Sequence, residues 1–234
     1  MKKLFILPFM LLAALCVQAQ DIQVHYDFGR NLYSDTEAGR QKVTVTLEQF
    51  KADQLGSWYY FVDIDLSRKF TEGAYTEISR EFNIGQKGFA AHMEYDGGLN
   101  KDSGSFQQSA LAGIAWNGHN ADFSTTYSIQ ALYKHYFKSS DHTNAYASCQ
   151  LTGVWSTTFA NKALTFSGFV DLWREEKDNR HGQLVFLTEP QIWYNVTKNF
   201  SIGSEVEISN NFVHQKVNDD SFFINPTIAV KFNL

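Results

Sequence analysis

The sequence contains little cysteine and little proline, and it lacks helical periodicity. Its 234 residues include two cysteines and three prolines. If a secretory signal is cleaved, Cys16 is lost and Cys149 remains alone, which excludes an intrachain disulfide and a CxxC-type metal site. No segment shows a convincing apolar repeat of 3.6 residues, so the pattern disfavours a helical fold.

The N-terminal residues have the composition of a secretory signal. Lys2 and Lys3 provide the positive start, and the apolar run from Leu4 to Val17 is short for a membrane-spanning helix. We expect residues 1–19 to be a cleaved signal peptide and residues 20–234 to form one domain.

The charge balance is acidic, with 20 Lys and Arg against 25 Asp and Glu. Loss of two lysines with the signal would move the formal charge from −5 to −7. This balance argues against nucleic acid as a partner. Aromatic residues are abundant, with 20 Phe, 11 Tyr and 5 Trp, as needed for the two interface girdles of a membrane barrel.

Apolar and polar residues alternate one for one throughout the chain. Between Trp58 and Leu66, one face carries Trp, Tyr, Val, Ile and Leu, whereas the other includes Asp63 and Asp65. Successive side chains of a strand point to opposite faces, so such segments have one apolar and one polar side. The segments predict about twelve strands, near 22–28, 42–50, 57–66, 74–82, 89–96, 106–116, 122–137, 145–159, 164–175, 183–196, 200–210 and 222–234.

The connections and the last segment favour an antiparallel transmembrane β-barrel. Odd-numbered connections are longer than most even-numbered ones. If the N-terminus lies in the periplasm, short turns fall inside and long loops outside, which is the usual asymmetry of these barrels. The alternation that ends at Leu234 resembles substrates of the barrel-assembly machinery, although these usually end in Phe. Pro190 and Pro226 fall inside predicted strands and require a bulge or a local break.

A soluble periplasmic β-sandwich or lipocalin-like barrel would show the same alternation, because antiparallel sheets often have one wet face. The two folds differ in which face points outward. A membrane barrel exposes its apolar face to lipid and keeps its acidic residues in the lumen. We expect the membrane barrel, in an outer membrane.

Two neighbouring predicted strands carry a family resemblance. The segments 46–51 (TLEQFK) and 58–63 (WYYFVD) combine acidic and aromatic residues across a short turn. This pattern resembles the nucleoside-specific channel-forming outer-membrane proteins of the Tsx type. The resemblance implies a narrow twelve-stranded channel for nucleosides.

If the apolar face meets lipid, the opposite face provides an aromatic and acidic lumen. Aromatic rings stack on planar solutes, and carboxylates accept hydrogen bonds from sugar hydroxyls and exocyclic amines while repelling phosphate. The predicted solute-binding residues are Tyr59, Phe61, Asp63, Asp65, Asp171, Trp173, Trp193, Glu205 and Glu207, and Glu94, Phe169 and Glu189 are expected beside them. The alternative is that the rings fill a narrow lumen and the carboxylates pair with Lys and Arg.

Other aromatic and polar residues suggest simpler roles. The interface girdles are expected to include Trp58, Tyr60, Tyr127, Phe137 and Tyr194. The pairs His92 with Glu94 and His25 with Asp27 could hold a metal, but hydrogen-bonded lumenal histidines are the favoured interpretation. Asn117, His119 and Ser124 come nearest to a hydrolase set and lack its local motif.

The sequence therefore predicts a non-enzymatic, passive outer-membrane channel for small solutes, with nucleosides as the expected class. No cofactor or metal is expected. Two alternatives stay open, a barrel that binds or scaffolds without transport and a soluble periplasmic β-protein.

Overall fold

The computed structural model describes residues 20–32, 41–66, 71–139, 144–176, 182–212 and 222–234. The expected signal peptide, residues 1–19, lies outside the described residues. The described part of the chain contains no helix with the length and apolarity needed to span a bilayer.

Thirteen strands account for most of the described chain. They are β1 (Asp21–Asp27), β2 (Val43–Ala52), β3 (Gly56–Leu66), β4 (Thr71–Ile84), β5 (Phe89–Asn100), β6 (Ser109–His119), β7 (Thr125–Tyr136), β8 (Tyr146–Phe159), β9 (Leu164–Glu176), β10 (Gly182–Thr188), β11 (Gln191–Asn195), β12 (Phe200–Asn210) and β13 (Phe222–Asn233). One short helix, α1 (Gly29–Leu32), follows β1.

Every neighbouring pair of strands is antiparallel, and β1 pairs with β13, which closes the sheet into a barrel. Strands β10 and β11 both lie between β9 and β12 and occupy one strand position. The barrel therefore has twelve strand positions, which confirms the predicted fold class. Closure removes every sheet edge, as a structure in lipid requires.

The break between β10 and β11 occurs at Pro190, where the sequence requires one. Pro190 has no N–H to donate, yet its carbonyl accepts the N–H of Val206 at 3.0 Å. The register against β9 and β12 is the same before and after the break. A Cβ on Gly168, at φ +152°, would lie 2.6 Å from the carbonyl oxygen of Glu189, so a glycine is needed opposite the break.

The second strand proline lies in the same row of the sheet. Val206 pairs with Pro226 of β13, whose carbonyl accepts the N–H of Phe28 at 2.9 Å. Next to this row, Thr227 Oγ1 accepts the N–H of Glu205 at 3.1 Å, where no backbone pairing with β13 is formed. Both strand prolines thus interrupt one level of the wall, on the two sides of Val206. We call this level the proline row.

The two ends of the barrel differ in the length of their connections. At one end the strands are joined by three to five residues, as in 53–55, 85–88, 120–124, 160–163 and 196–199. At the other end four of the six connections are longer, with eight or more residues, and this end includes all of the internal segments outside the description. This asymmetry agrees with the predicted pattern, and we refer to a short-turn end and a long-loop end.

Several strand boundaries differ from those predicted by a few residues, and two of the differences have a clear local cause. The expected strand 106–116 begins at Ser109, because Phe106 donates its N–H to Gly98 and turns its ring against Tyr75 at the long-loop end. The turn expected at 117–120 lies at 120–124, where Asn120 Oδ1 accepts the N–H of Thr125 and Asp122 Oδ1 that of Ser124. Short side-chain acceptors of this kind fix turns.

The outer surface of the barrel is apolar. Met93, Ile129 and Leu151 are 58%, 56% and 57% exposed at central strand positions, and Val62, Ile64, Val206 and Ile208 alternate with lumenal residues on the same face. A soluble β-sandwich or lipocalin-like barrel would bury this face. The soluble alternative is therefore wrong, and the apolar face meets lipid.

Candidate functional site: the lumen

The inner face of the barrel encloses a cavity of about 2650 Å³. Its lining includes Lys87 and Asn161 at the short-turn end, and Asn100 and Phe106 at the long-loop end. The cavity thus reaches from one end of the described barrel to the other. This is the arrangement that a conduit requires.

All of the residues that the sequence places in the lumen do line this cavity: Tyr59, Phe61, Asp63, Asp65, Glu94, Phe169, Asp171, Trp173, Glu189, Trp193, Glu205 and Glu207. The period of two decides this outcome, since one face of each strand is apolar and points outward. Tyr59, Phe61, Asp63 and Asp65 form a first group on β3, whereas the residues from Phe169 to Glu207 form a second group between β9 and β12. Glu94 lies on β5 between the two groups, so the predicted set does not form a single compact site.

The first group continues into a chain of aromatic rings along the wall. The ring of Tyr59 lies 6.2 Å from that of Phe61, which lies 6.1 Å from Tyr75, and Tyr75 lies 5.6 Å from Phe106, between ring centroids. These spacings are within the range of favourable aromatic pairs. The four rings, which we call the aromatic ladder, rise from the lower part of β3 to the long-loop end.

Carboxylates accompany the aromatic ladder. In the pairing of β3 with β4, Phe61 lies opposite Glu77 and Asp63 lies opposite Tyr75. The Tyr75 hydroxyl donates to Glu77 Oε1 at 2.9 Å, and Thr46 Oγ1 donates to Asp63 Oδ1 at 2.5 Å. Because these donors are neutral, they orient the carboxylates without cancelling their charge.

The second group occupies β9, β11 and β12. Trp193 donates from Nε1 to Gln191 Oε1 at 2.9 Å, and Gln191 donates from Nε2 to Glu205 Oε2 at 2.6 Å. Glu207 accepts from Asn225 Nδ2 at 2.9 Å. Gln191 therefore links an aromatic ring to a carboxylate, the same combination as in the aromatic ladder.

Three carboxylates meet on adjacent strands between the two groups. One ligand atom each from Glu77, Glu94 and Asp96 lies within 4.8 Å of the others. Asp96 is bound by Lys134, whose Nζ is 3.1 Å from Asp96 Oδ2. This convergence concentrates negative charge in the central lumen, with one ammonium group beside it.

The two lysines that project from strands into the cavity both lie against aromatic rings. Lys134 Nζ is 5.2 Å from the ring centroid of Tyr136 and 5.3 Å from that of Trp173. Lys231 Nζ is 4.1 Å from the ring centroid of Trp193. All three distances fit cation–π contact. Each ammonium group is held by the wall of the lumen and does not project freely into it.

The charges of the described lining are strongly unbalanced. Among the described residues, seventeen carboxylates line the cavity against six lysines and no arginine, a formal excess of eleven negative charges. The carboxylates are Asp21, Asp27, Glu48, Asp53, Asp63, Asp65, Glu72, Glu77, Glu81, Glu94, Asp96, Asp102, Asp171, Glu175, Glu189, Glu205 and Glu207. Four of the six lysines belong to connections between strands.

This charge is distributed unevenly around the barrel. The lumen face of β1–β5, which we call the acidic wall, carries ten of the carboxylates. The lumen face of β6–β8, which we call the neutral wall, carries none, because those strands contain no Asp or Glu. Lys134 is the single Lys or Arg of the neutral wall.

The two histidine pairs have different outcomes. His92 Nε2 is 3.0 Å from Glu94 Oε2, as expected, and its Nδ1 is 3.2 Å from Glu81 Oε1, so the ring bridges two carboxylates. The sequence pairs His25 with Asp27. In the structure, the ring nitrogens of His25 instead lie 3.1 Å from Gln23 Oε1 and 3.3 Å from Thr227 Oγ1. Both rings are therefore engaged in lumenal hydrogen bonds.

The candidate hydrolase residues do not assemble. The His119 ring contacts the Asn120 carbonyl at 2.8 Å and stacks on Phe123, with ring centroids 3.8 Å apart. Ser124 Oγ donates to Asp122 at 2.9 Å, and Asn117 donates to Glu81 at 2.6 Å. No serine–histidine hydrogen bond links the three candidates, so they do not support nucleophilic catalysis.

Four of the five expected girdle residues have strongly exposed rings. Trp58, Tyr127, Phe137 and Tyr194 are 47%, 39%, 39% and 56% exposed. Tyr60 is on the same outer face but is only half-exposed. Their positions near strand ends fit an interface role.

Several residues that line the lumen are not among those predicted from the sequence. Tyr75 and Glu77 belong to an alternating strand, so their face was available from the pattern. Phe106 was assigned to a strand, and only the three-dimensional structure brings it to Tyr75. Lys134 was hidden by the polar composition of β7, although a single lysine in an acid-free strand is a usable signal.

A closed antiparallel barrel with an apolar exterior and a polar interior is a transmembrane barrel of the outer-membrane type. The chain is an outer-membrane β-barrel protein. It belongs to the DUF5020 family, described as "Domain of unknown function (DUF5020)", whose sequence model matches residues 19–234.

Solved structures with the same fold include two porins. The NanC porin matches with a TM-score of 0.61 and 14% identity over 92% of this chain and 99% of that chain. The KdgM porin matches with a TM-score of 0.50 and 12% identity over 92% of this chain and 98% of that chain. At this identity the likeness concerns the fold alone. No curated protein matches the sequence.

Proposed function

We propose that the protein is a passive outer-membrane channel for small solutes, and that neutral nucleosides are among the solutes it accepts. The proposal rests on the aromatic ladder inside a cavity that reaches both ends of the barrel. The porins that share its fold are consistent with a channel. A non-transporting barrel is the alternative.

The aromatic ladder suits a planar ring attached to a hydroxylated group. A base stacks on Tyr59, Phe61 or Tyr75, and the carboxylates of Asp63 and Glu77 accept hydrogen bonds from sugar hydroxyls or exocyclic amines. Four rings at successive spacings allow a solute to exchange one stacking partner for the next. A nucleoside monophosphate meets the same carboxylates as a repulsive surface.

Planar-bilayer recording of the refolded protein tests this proposal. Adenosine or thymidine should reduce the ion current at concentrations where adenosine monophosphate does not. Replacement of Phe61 with Ala should weaken this block by about 1–3 kcal/mol, the stacking contribution of one ring. Replacement of Asp63 with Asn should reduce discrimination against the phosphate.

Phe166→Ala is the matched control, because Phe166 has the same side chain on the outer face of β9, where it is 38% exposed. Its nucleoside block should equal that of the wild type. A protein that conducts ions without nucleoside block would contradict the nucleoside assignment. A correctly assembled protein without conductance would favour the non-transporting barrel.

A further inference from the structure

The charge of the lumen has a consequence for the ions that enter it. A formal excess of eleven negative charges lines a cavity of about 2650 Å³. Fixed charges in such a confined space must be compensated by mobile ions of the opposite sign, and low-dielectric walls strengthen this effect. The mobile ions in the lumen are therefore mainly cations.

The lysines of the strands do not offset this excess for a passing anion. Lys134 binds Asp96 Oδ2 at 3.1 Å and donates to Gln150 Oε1 at 2.9 Å, and its side chain is only 9% exposed. Lys231 lies over Trp193 and interacts with the carboxylates of Asp21 and Glu48. Both ammonium groups already have anionic or aromatic partners.

The same two lysines show what an ammonium ion finds in this lumen. Each Nζ lies over an aromatic ring, and each is attracted by carboxylates: Lys134 forms an ion pair with Asp96, and Lys231 interacts electrostatically with Asp21 and Glu48. This combination binds organic cations. The aromatic ladder offers the same combination at Phe61, Tyr75 and Glu77, and within the described residues no lysine ammonium group lies over those rings. A diffusing ammonium ion meets there the kind of surroundings that Lys134 occupies.

We propose that the lumen is cation-selective, that it admits small organic ammonium ions more readily than neutral solutes, and that it excludes anions. The inference rests on the proposed channel function, since selectivity requires conduction. It adds to that function an order of preference among solutes that depends on their charge. Solutes with an amine are favoured, neutral nucleosides follow, and phosphorylated or carboxylated compounds are rejected.

Reversal potentials in a potassium chloride gradient across a planar bilayer test this order of preference. At about 0.1 M salt, potassium should permeate about tenfold more readily than chloride. Near 1 M salt the ratio should fall towards unity, because the Debye length shrinks to about 3 Å. Methylammonium chloride in place of potassium chloride should preserve the cation preference.

Two variants locate the origin of the selectivity. Glu77→Gln with Glu94→Gln should lower the potassium-to-chloride ratio at low salt. Asp122→Asn makes the same kind of change in an exposed turn outside the cavity lining and should leave the ratio unchanged. Heat-modifiability on gels verifies that each variant forms a barrel, and Asp171→Asn is a second neutralisation if the double variant does not assemble.

The outcomes separate this inference from the channel proposal. A conducting protein whose potassium-to-chloride ratio is near unity at low salt, or that prefers chloride, would overturn the inference. The channel proposal would still stand. Equal potassium-to-chloride ratios in the wild type, in the double variant Glu77→Gln with Glu94→Gln and in Asp171→Asn would also overturn it. Absence of conductance in an assembled barrel would overturn the channel itself, and the selectivity with it.

Discussion

The acidic wall and the neutral wall are built from the same kind of strand and differ almost entirely on one face. Strands β1–β5 place ten carboxylates in the cavity lining, whereas β6–β8 place none. Their outer faces are alike, with Ile78 45% exposed on β4 and Leu151 57% exposed on β8. The comparison shows that contact with lipid requires apolar residues on the outer face of the strands, whereas the charge of the residues on the inner face can vary.

The physical reason is the period of two in a strand. Because alternate side chains point to opposite faces, the outer residues can satisfy the hydrocarbon while the inner residues change independently. A barrel can therefore acquire an electrostatic polarity across its lumen without altering its fold. The following three predictions test how far the two walls depend on each other.

The largest effect is expected at Lys134, which joins the neutral wall to Asp96 of the acidic wall through an ion pair. Lys134→Met would leave Asp96, whose side chain is 4% exposed, close to Glu77 and Glu94 without its ammonium partner. Loss of one member of a buried ion pair costs about 3–5 kcal/mol. Urea titration of the barrel in lipid vesicles measures this loss.

Asp96→Asn in the Lys134→Met background serves as the control, since it removes the unpaired charge. The double variant should recover much of the lost stability. If the stability change of the double variant equals the sum of the changes in the two single variants, the two walls are not coupled through Lys134 and Asp96.

A smaller effect is expected on the outer surface, where the two walls should behave alike. Ile78→Arg on the acidic side and Leu151→Arg on the neutral side should each cost about 2–4 kcal/mol near the bilayer midplane. Ser156→Arg, on the lumen face of β8, should cost much less. Unfolding in urea and heat-modifiability report all three. A tolerated Leu151→Arg together with a disruptive Ser156→Arg would mean that the faces are reversed.

The smallest effect is expected at the short-turn end below the acidic wall. The hydrogen bond from Arg80 Nη2 to Asp53 Oδ1 at 2.9 Å, with further bonds from the N–H groups of Leu55 and Gly56, lowers the pKa of Asp53. A carboxyl group whose pKa is lowered in the folded state stabilises the folded protein at pH values above the ordinary pKa of Asp. This contribution disappears as the pH falls through the lowered value.

Asp53→Asn should therefore reduce stability slightly at neutral pH and not at all in strong acid. Unfolding midpoints measured across this pH range provide the test. A constant difference between Asp53→Asn and wild type at every pH would mean that the Arg80 contact has no electrostatic part.

The sequence was sufficient to identify the faces of the strands but not the neighbours across them. Tyr59, Asp63 and Trp193 could be placed in the lumen because alternation assigns every residue of a strand to one side. The meeting of Lys134 with Asp96 depends on strand register and on side-chain conformation across β5, β6 and β7. The ring pair of Tyr75 and Phe106 depends on a connection that leaves the sheet. Neither follows from a local pattern.

The proline row affects the mechanics of the barrel wall. A hydrogen-bonded sheet resists bending because its ladder of backbone bonds is continuous. In the proline row, Pro190 and Pro226 each lack a backbone N–H donor. The hydroxyl of Thr227 replaces a backbone pairing beside them. The register is preserved across the break in β10 and β11, so the strands keep their order there with fewer bonds between them. We therefore expect the wall at β11, β12 and β13 to bend more easily at this level than an uninterrupted hydrogen-bonded ladder would when the surrounding bilayer compresses the barrel.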